Sequence, residues 1–587
     1  MNIRTILLPL LVLAGIEREH AFSQAPAWQW AKSFGGADFD ALDDIACDAV
    51  GHVYAAGYFY LTVDFDPGPG TSNLTSMGGS AFVSKLTETG NLVWAKAFGG
   101  TTVNDYAECF AIALNNNGNG EVYTTGYFGG TVDFDPGAGV FNLTSANTDI
   151  FVCKLDSSGN FIWAKAFLNI FIGTTAYGIT LALDPSGNGD VYTAGNFNGL
   201  VDFDPGPGSY NLGASPANFT DMFISKLNGA GDFMWAGRMG GPQNDLVRQI
   251  LVDPSGNGRI YTTGYFASTA DFAPGPATVN ITAAGDWDAY FCTLDTSGSL
   301  LWAKAVSGTG RELGMSLALD LTGSGSIFAT GSFDGTADFD PSPTGVYNLT
   351  PSLFDVFVLK LDSSGNFLWA KSMGGAGNDE AFTIKLDPQG NGVYTTGFFE
   401  MTCDFDPGPV AYNLTEAGGG DIFISRLDSS GNFAWAKGMG GSGSDYGDCL
   451  AISASGEVFL SGMFESSSVA FDSTNLANTT IGFDDLFIAK LDTMVISGII
   501  PVLDKSCISI FPNPVKDELT VRSDLQDGIV RLELYDLHGR ILDQKECGKI
   551  GAEEKLNLSN VADGIYFLKV YTSHSIQSVR LVKAGNR

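Results

Sequence analysis

The sharpest chemical signal in the sequence is a pair of carboxylates two residues apart, repeated along the chain. Asp-Phe-Asp-Pro-Gly begins at Asp64, Asp133, Asp202 and Asp404, and a variant ending in Ser begins at Asp338. The pairs are therefore Asp64 with Asp66, Asp133 with Asp135, Asp202 with Asp204, Asp338 with Asp340 and Asp404 with Asp406. Residues two apart in an extended chain point to one side. Each pair could thus share a hard cation such as Ca²⁺, with backbone carbonyls completing the oxygen shell. Asp-Pro-Gly is also a tight-turn sequence whose Asp side chains cap backbone amides. The copy at Asp271 reads DFAPG and lacks the second carboxylate, and the last unit keeps only Phe471-Asp472-Ser473. Asp184, Ser186, Asn188 and Asp190 match the front half of a calcium loop. Gly195 stands where that loop needs its bidentate Glu, and a Gly-Asn-Gly hairpin loop explains the segment more simply.

Other chemistry is poorly served. His52 is the one histidine between residues 24 and 505, which argues against a His-based triad or a His-rich metal centre there. Two carboxylates could hydrolyse a glycoside, but the prominent ones recur from unit to unit, whereas a catalytic pair should be unique. The expectation is a protein that is not an enzyme. Arg238, Arg248, Arg259 and Arg311 break the repeat and could meet an acidic ligand. The formal charge is −34, and it all sits in residues 24–505, with 18 Lys and Arg against 52 Asp and Glu. No basic patch remains to follow a phosphate backbone, so nucleic-acid binding is not expected. The eight cysteines stand singly, without CxxC spacing, and read as small buried apolar residues. Arg4 and the apolar run at 6–16 read as a signal peptide over 1–23, and no later apolar run is long enough to span a bilayer.

The elements that position these residues come from a repeat. Trp-Ala-Lys recurs at Trp30, Trp94, Trp163, Trp302, Trp369 and Trp435, with Trp-Ala-Gly at Trp235, at intervals of 64–72 residues. One unit reads as short strands at 110–114, 121–128, 149–155 and 161–167, with the Asp-Phe-Asp excursion after the second. The lysines of Trp-Ala-Lys and Lys-Leu-Asp are expected to pair with nearby carboxylates, and the Trp to pack between units. Asn-x-Thr at Asn73, Asn142, Asn280, Asn348 and Asn413 reads as repeat structure. The array starts with a lone fourth strand at 28–34, and its last unit lacks a fourth strand. A closed ring in which the N-terminal strand completes the last blade removes that open edge. The fold expected for 24–492 is an all-β, seven-bladed β-propeller. The units DxxGNxVYxxGxF and DxFVxKLDxxGNxxWAKxxGG resemble bacterial secreted β-propeller repeats over 28–492. LDSSGNFxW at 155–163, 361–369 and 427–435 is similar to the Asp-box of sialidase-type propellers, which implies structure and not catalysis.

After a linker at 493–505, residues 506–587 offer about seven short strands, a small immunoglobulin-like β-sandwich. The motifs are Phe511 with Pro512, Asn513 and Pro514; LYDLHGR at 534–540, with Gly539 and Arg540; GIYFLKV at 564–570, with Gly564 and Tyr566; and VRLVK, ending at Lys583. Together they resemble the type A C-terminal sorting domain of type IX secretion. The resemblance implies transit through the periplasm of a Gram-negative bacterium, recognition by the secretion machinery and its sortase, and release or display at the outer cell surface. The function expected is a surface or secreted binding and adhesion protein, its ligand a polysaccharide or other cell-surface component. The alternatives are a structural matrix protein without a discrete ligand, or a carbohydrate-active enzyme.

Overall fold

The computed structural model describes residues 25–115, 118–478, 480, 482–492, 508–511, 515–523, 529–535, 541–551, 553–562, 564–572 and 576–583. The expected signal peptide, the linker, and Pro512, Asn513, Pro514, Gly539 and Arg540 lie outside them. The chain forms two compact units, one ending at Thr493 and the other starting at Met494. Every regular element among the described residues is a β-strand.

Among the described residues the first unit contains seven large antiparallel sheets, or blades: four are four-stranded, and three have four such strands extended to six by a short rim hairpin. One is built from Ala176–Leu183, Val191–Phe197, Asp221–Leu227 and Phe233–Met239, paired in sequence order. Its third strand, DMFISKL, is buried along its whole length because both faces pack on neighbours. The closing sheet holds Asp445–Ile452, Val458–Phe464 and Asp485–Leu491, and its outer strand is the N-terminal Trp28–Phe34. In that pairing Ala31 stands opposite Ala489 and Phe34 opposite Leu486. One core cluster then joins Phe34, Leu42, Ile45 and Phe59 to Ala451, Phe459 and Ile488, so the last sheet packs on the first and the ring closes.

Neighbouring blades are also tied along the axis, where their first strands stand side by side. Ile112 N–H donates to Asp44 Oδ2 (2.9 Å), Leu317 N–H to Gln249 Oε1 (2.5 Å) and Ile384 N–H to Ser316 Oγ (3.1 Å). Cys449 Sγ donates to Asp43 O across the closing junction (2.9 Å). Farther out, the indoles of Trp30, Trp94, Trp163 and Trp235 donate to turn carbonyls of the following blade, at Glu88, Ser157, Gly229 and Thr296. Gly431, at φ +81°, lies where a Cβ would come within 3.2 Å of the Trp369 ring, which is why that turn needs glycine.

Several expectations change in detail. In the second repeat the first strand runs Tyr106–Leu114, starting earlier than expected, and the second runs Val122–Asp133, absorbing the start of the excursion. The Lys of Lys-Leu-Asp reaches a turn carboxylate, as Lys154 does Glu121 (2.9 Å), and Lys226 of the Lys-Leu-Asn variant does the same with Asp190 (3.1 Å). Of the Trp-Ala-Lys lysines only Lys437 does so among the described residues, with Asp472 (2.9 Å). Lys96, Lys165 and Lys371 instead lay their aliphatic stems on the turn glycines, which satisfies packing without an ion pair. His52 Nδ1 sits 2.8 Å from Asp48 Oδ2, half-buried in its turn.

The second unit is a two-sheet sandwich. Ile508–Phe511, Glu518–Ser523 and Glu553–Asn557 form one sheet. Ile541–Gly551, Ile529–Tyr535, Gly564–Thr572 and Ile576–Lys583 form the other. Leu519, Val521, Leu532, Leu534, Leu556, Tyr566, Leu568 and Leu581 share their core. Gly564 pairs with Lys583 at the sheet end, and Tyr566 Oη donates to Ala562 O (2.8 Å). The Lys583 ammonium lies 3.3 Å from Asp517 Oδ1.

Ring closure makes the N-terminal strand a point of global stability. Phe34→Ala should cost about 3–5 kcal/mol, read from denaturant unfolding of the full chain. The contrary result is a variant within about 0.5 kcal/mol of the parent, the size of an ordinary surface substitution.

Candidate functional site

The Asp-Phe-Asp loops come first because the sequence singles them out. Each is the tip of a hairpin, as in Thr62–Asp64 paired with Asn73–Thr75, where Asp64 faces Asn73 and Thr62 faces Thr75. The threonine pair shares a 2.9 Å hydrogen bond, so Asn-x-Thr is the return strand of this hairpin. The middle Phe is the anchor. Phe65 is buried against Phe59 and Phe82 of its own blade and Phe34 of the preceding one. Phe134 repeats this with Phe128, Phe151 and Phe98.

The flanking carboxylates cap the loop. Asp64 Oδ1 accepts the Asp66 and Ser72 amides (3.1 and 2.7 Å), and Asp66 Oδ1 accepts that of Gly68 (2.8 Å). The same bonds recur at Asp133 and Asp135, Asp202 and Asp204, Asp338 and Asp340, and Asp404 and Asp406. Among the described residues, no three Asp, Glu, His or Cys side chains gather as a metal would need. Asp133 holds two backbone amides, so Asp133→Ala should cost about 1–2 kcal/mol, and Asp135→Ala less. The losses should be equal in Ca²⁺ and in chelator, measured by thermal unfolding. A loss that appears only with Ca²⁺ present would make the loop a calcium site.

A second set of carboxylates was missed in the sequence. Four residues after the second glycine of Trp-Ala-Lys-x-x-Gly-Gly, or of its Trp-Ala-Gly variant, stands an Asp that accepts that glycine's amide. Examples are Gly36 to Asp40, Gly241 to Asp245, Gly375 to Asp379 and Gly441 to Asp445. The third strand of the preceding blade places another acid beside it: Asp485, Asp221, Asp355 and Asp421 respectively. A Cβ on Gly374 would fall 2.3 Å from Asp355 Oδ1, so the first glycine makes room for this acid. Asp221 Oδ1, Asp355 Oδ1 and Asp421 Oδ1 are buried and accept no hydrogen bond.

Burial foremost pushes Asp355 and Asp379 up to about 7, and Asp379 adds repulsion on Asp355. Asp40 and Asp245 rise to about 7 from the same cause, against backbone amides that pull them down. One proton held by the Asp355–Asp379 pair would give the bare Asp355 oxygen a partner. Because the folded chain holds these protons more tightly than the unfolded one, their contribution is present below about pH 4 and is lost as pH rises through about 7. Asp355→Asn, which mimics the protonated acid, should flatten the fall in melting temperature between pH 5 and 8. A parallel, unflattened curve would refute the shared proton.

Sheet geometry assembles a third site, at the axis. Every first strand has a β-bulge at the same place, and the extra residues are Asp43, Phe110, Ile179, Arg248, Met315, Phe382 and Asp448. Bulges re-aim side chains, and here the seven share one level of the channel. Two residues earlier, a collar pairs first and second strands, with Ala41 opposite Tyr58, Glu108 opposite Tyr127 and Tyr446 opposite Met463. Aromatic contacts cross the blade boundaries, with Tyr127 edge-on to Tyr177 (5.0 Å) and Phe398 to Tyr446 (5.2 Å).

The mouth is electrostatically divided. On the first, second and last blades, Asp43 is raised by burial and then by Asp448 and Glu108, while Tyr58 is raised by burial and by Asp43, Glu108 and Asp484. On the fourth and fifth, Arg248 Nη2 donates to Tyr265 Oη (2.7 Å), and Tyr265 stacks on Trp287 (4.4 Å). Arg311 pairs with Asp334 (2.7 Å) and lies over Phe354. Of the four arginines that break the repeat, Arg248 and Arg311 belong to the mouth. Arg238 neutralises Asp221, and Arg259 bonds Ser363 O.

Residues 509–584 match the family described as the secretion system C-terminal sorting domain. The C-terminal unit is a sorting domain of that system. An uncharacterised WD repeat-containing protein of Acanthamoeba polyphaga mimivirus is 22% identical over 468 residues, 65% of this chain and 32% of the relative. The regulatory protein FlaEY of Caulobacter vibrioides is 28% identical over 152 residues, 26% of this chain and 14% of the relative. The chain thus covers about a third or less of the length of these relatives. Repeat, topology and the WD-repeat relative together describe a β-propeller repeat protein carrying an export tail. The sorting domain marks it for secretion or the cell surface.

Proposed function

We propose that the protein is an exported binding protein whose ligand site is the divided mouth of the propeller channel. It binds a polysaccharide or another component of the cell surface and does not turn it over. The observation that carries this reading is the contrast between positions. Residues on the blade edges and rim repeat from unit to unit, while the bulges carry acid, base, aromatic and aliphatic side chains in turn, from Asp43 through Phe110, Ile179, Arg248, Met315 and Phe382 to Asp448. A set of unique aromatic and charged side chains at one mouth is what a single asymmetric ligand requires. Tyr58, Tyr177, Tyr446 and the Tyr265–Trp287 stack supply flat faces with polar tips, suited to sugar rings. Export by the sorting domain supports a partner outside the cell. The sortase and secretion machinery engage the C-terminal unit, with Gly564, Tyr566 and Lys583 in the sheet that carries the family motifs.

Full-length protein should bind the extracellular polysaccharide of its producing cells saturably and release no reducing ends. Tyr58→Ala with Tyr446→Ala should weaken binding about tenfold or more, whereas Asp135→Ala in a rim loop should not. Equal binding by both variants would move the site away from the mouth, and release of reducing ends would make the protein a hydrolase.

A further inference from the structure

The arginines of the propeller differ in how they are used. Arg238, Arg311 and Arg426 pair with Asp221, Asp334 and Asp387, and Arg259 donates to Ser363 O. Among the described residues Arg248 forms no ion pair, although the chain carries a formal charge of −34. It stands across the channel from the acidic quadrant on the first, second and last blades. At the bulge level its neighbours are Ile179 and Met315. The collar on the same three blades carries Tyr177, Leu246 and Leu313. No acid stands on these blades at either level. The collar acids Glu108 and Glu380 are two blades away on either side. Burial raises Glu380, and of the arginines on this side Arg311 pulls it down more than Arg248 does.

The guanidinium is anchored at one point and open elsewhere. Arg248 Nη2 donates to Tyr265 Oη (2.7 Å), and the guanidinium carbon lies 5.3 Å from the centre of that ring. Tyr265 is 5% exposed and stacks on Trp287 at 4.4 Å, so packing fixes the phenol that receives the bond. Arg248 itself is exposed. The rest of its planar fork has no protein acceptor among the described residues. A guanidinium held by a buried phenol in an apolar sector is preorganised for an anion brought from outside. Asp334 has already taken Arg311, so one free positive charge is left to balance one negative charge. A carboxylate fits the fork with two parallel N–H···O bonds. Trp287, half-buried beside Tyr265, offers an aromatic surface for the attached sugar. The chain's overall charge repels a densely charged polymer, so the match is one carboxylate among neutral sugars.

We propose that Arg248 binds a carboxylate on the ligand of the mouth, so that this ligand carries an acidic sugar of the uronic type. The inference rests on the reading of the mouth as the ligand site and adds the ligand's chemical class. Calorimetric titration of the full-length protein with cellobiouronic acid, a disaccharide of one uronic acid and one neutral sugar, tests it at constant ionic strength. Cellobiose, which lacks the carboxylate, is the comparison. Saturable binding of the acid is expected at a Kd of about 1 mM or tighter, with cellobiose weaker by about tenfold or more. Arg248→Ala should bring the acid down to the level of cellobiose and leave cellobiose unchanged. Arg248→Lys, which keeps the charge and loses the fork, should fall between the two. Tyr265→Phe removes the anchor and should weaken the acid severalfold, an effect that vanishes once Arg248 is replaced by Ala. Unchanged melting temperatures identify the variants that remain folded. The proposal is overturned by no saturable heat with cellobiouronic acid, by equal affinity for cellobiose, or by indifference to Arg248→Ala. Tighter binding of the sulfate ester of cellobiose would also overturn it and make this a sulfate site. If cellobiouronic acid fails while polysaccharide binding remains sensitive to Tyr58 and Tyr446, the carboxylate site alone is wrong. If both fail, the mouth is not the ligand site.

Discussion

Everything in the propeller depends on closing the ring. Seven sheets whose first strands share an axis leave one open edge unless the ends of the repeat meet, and here Trp28–Phe34 pairs with Asp485–Leu491 to remove it. Closure brings the first and last blades together. It thereby puts Asp43 beside Asp448 and Phe39 beside Phe483, residues far apart in sequence. The acidic quadrant is a product of closure, and no single repeat contains it.

The repeated residues serve mainly the junctions between blades. Asp-Phe-Asp-Pro-Gly looks like chemistry, yet its buried Phe contributes most. Burying one such ring is worth about 1.5–3 kcal/mol, and Phe65 and Phe134 each touch two blades. Their flanking carboxylates hold the backbone that delivers the ring. Trp-Ala-Lys and the glycine of the following turn act in the same way at the outer edge. What a repeat protein repeats is the junction, and what it varies is free to meet a partner.

Much of this architecture was legible in the sequence, and the reason is local. The four-strand unit, the missing and spare strands at the two ends, and the sorting domain all show in short motifs with fixed spacing. The Gly-Gly-x-x-x-Asp spacing from Gly36 to Asp40, and again from Gly375 to Asp379, was equally available and would have exposed the inter-blade acids. The mouth was not legible. Phe110, Arg248 and Asp448 differ in type, and only the shared bulge places them on one level. Among the described residues the expected ion pair of the Trp-Ala-Lys lysines forms at Lys437, and the spacing could not show that turn glycines wait for the stems of Lys96, Lys165 and Lys371.

The central claim is that the unrepeated mouth, and not the repeated rim, meets the ligand. Hydroxyl-radical footprinting of the full-length protein, with and without the producing cell's surface polysaccharide, tests it most directly. The account predicts protection of Phe39, Tyr58, Tyr60, Tyr177 and Tyr446, with exposed rim residues such as Val140 and Tyr210 unchanged. Protection of the rim hairpins around several blades, with the mouth still reactive, would contradict it.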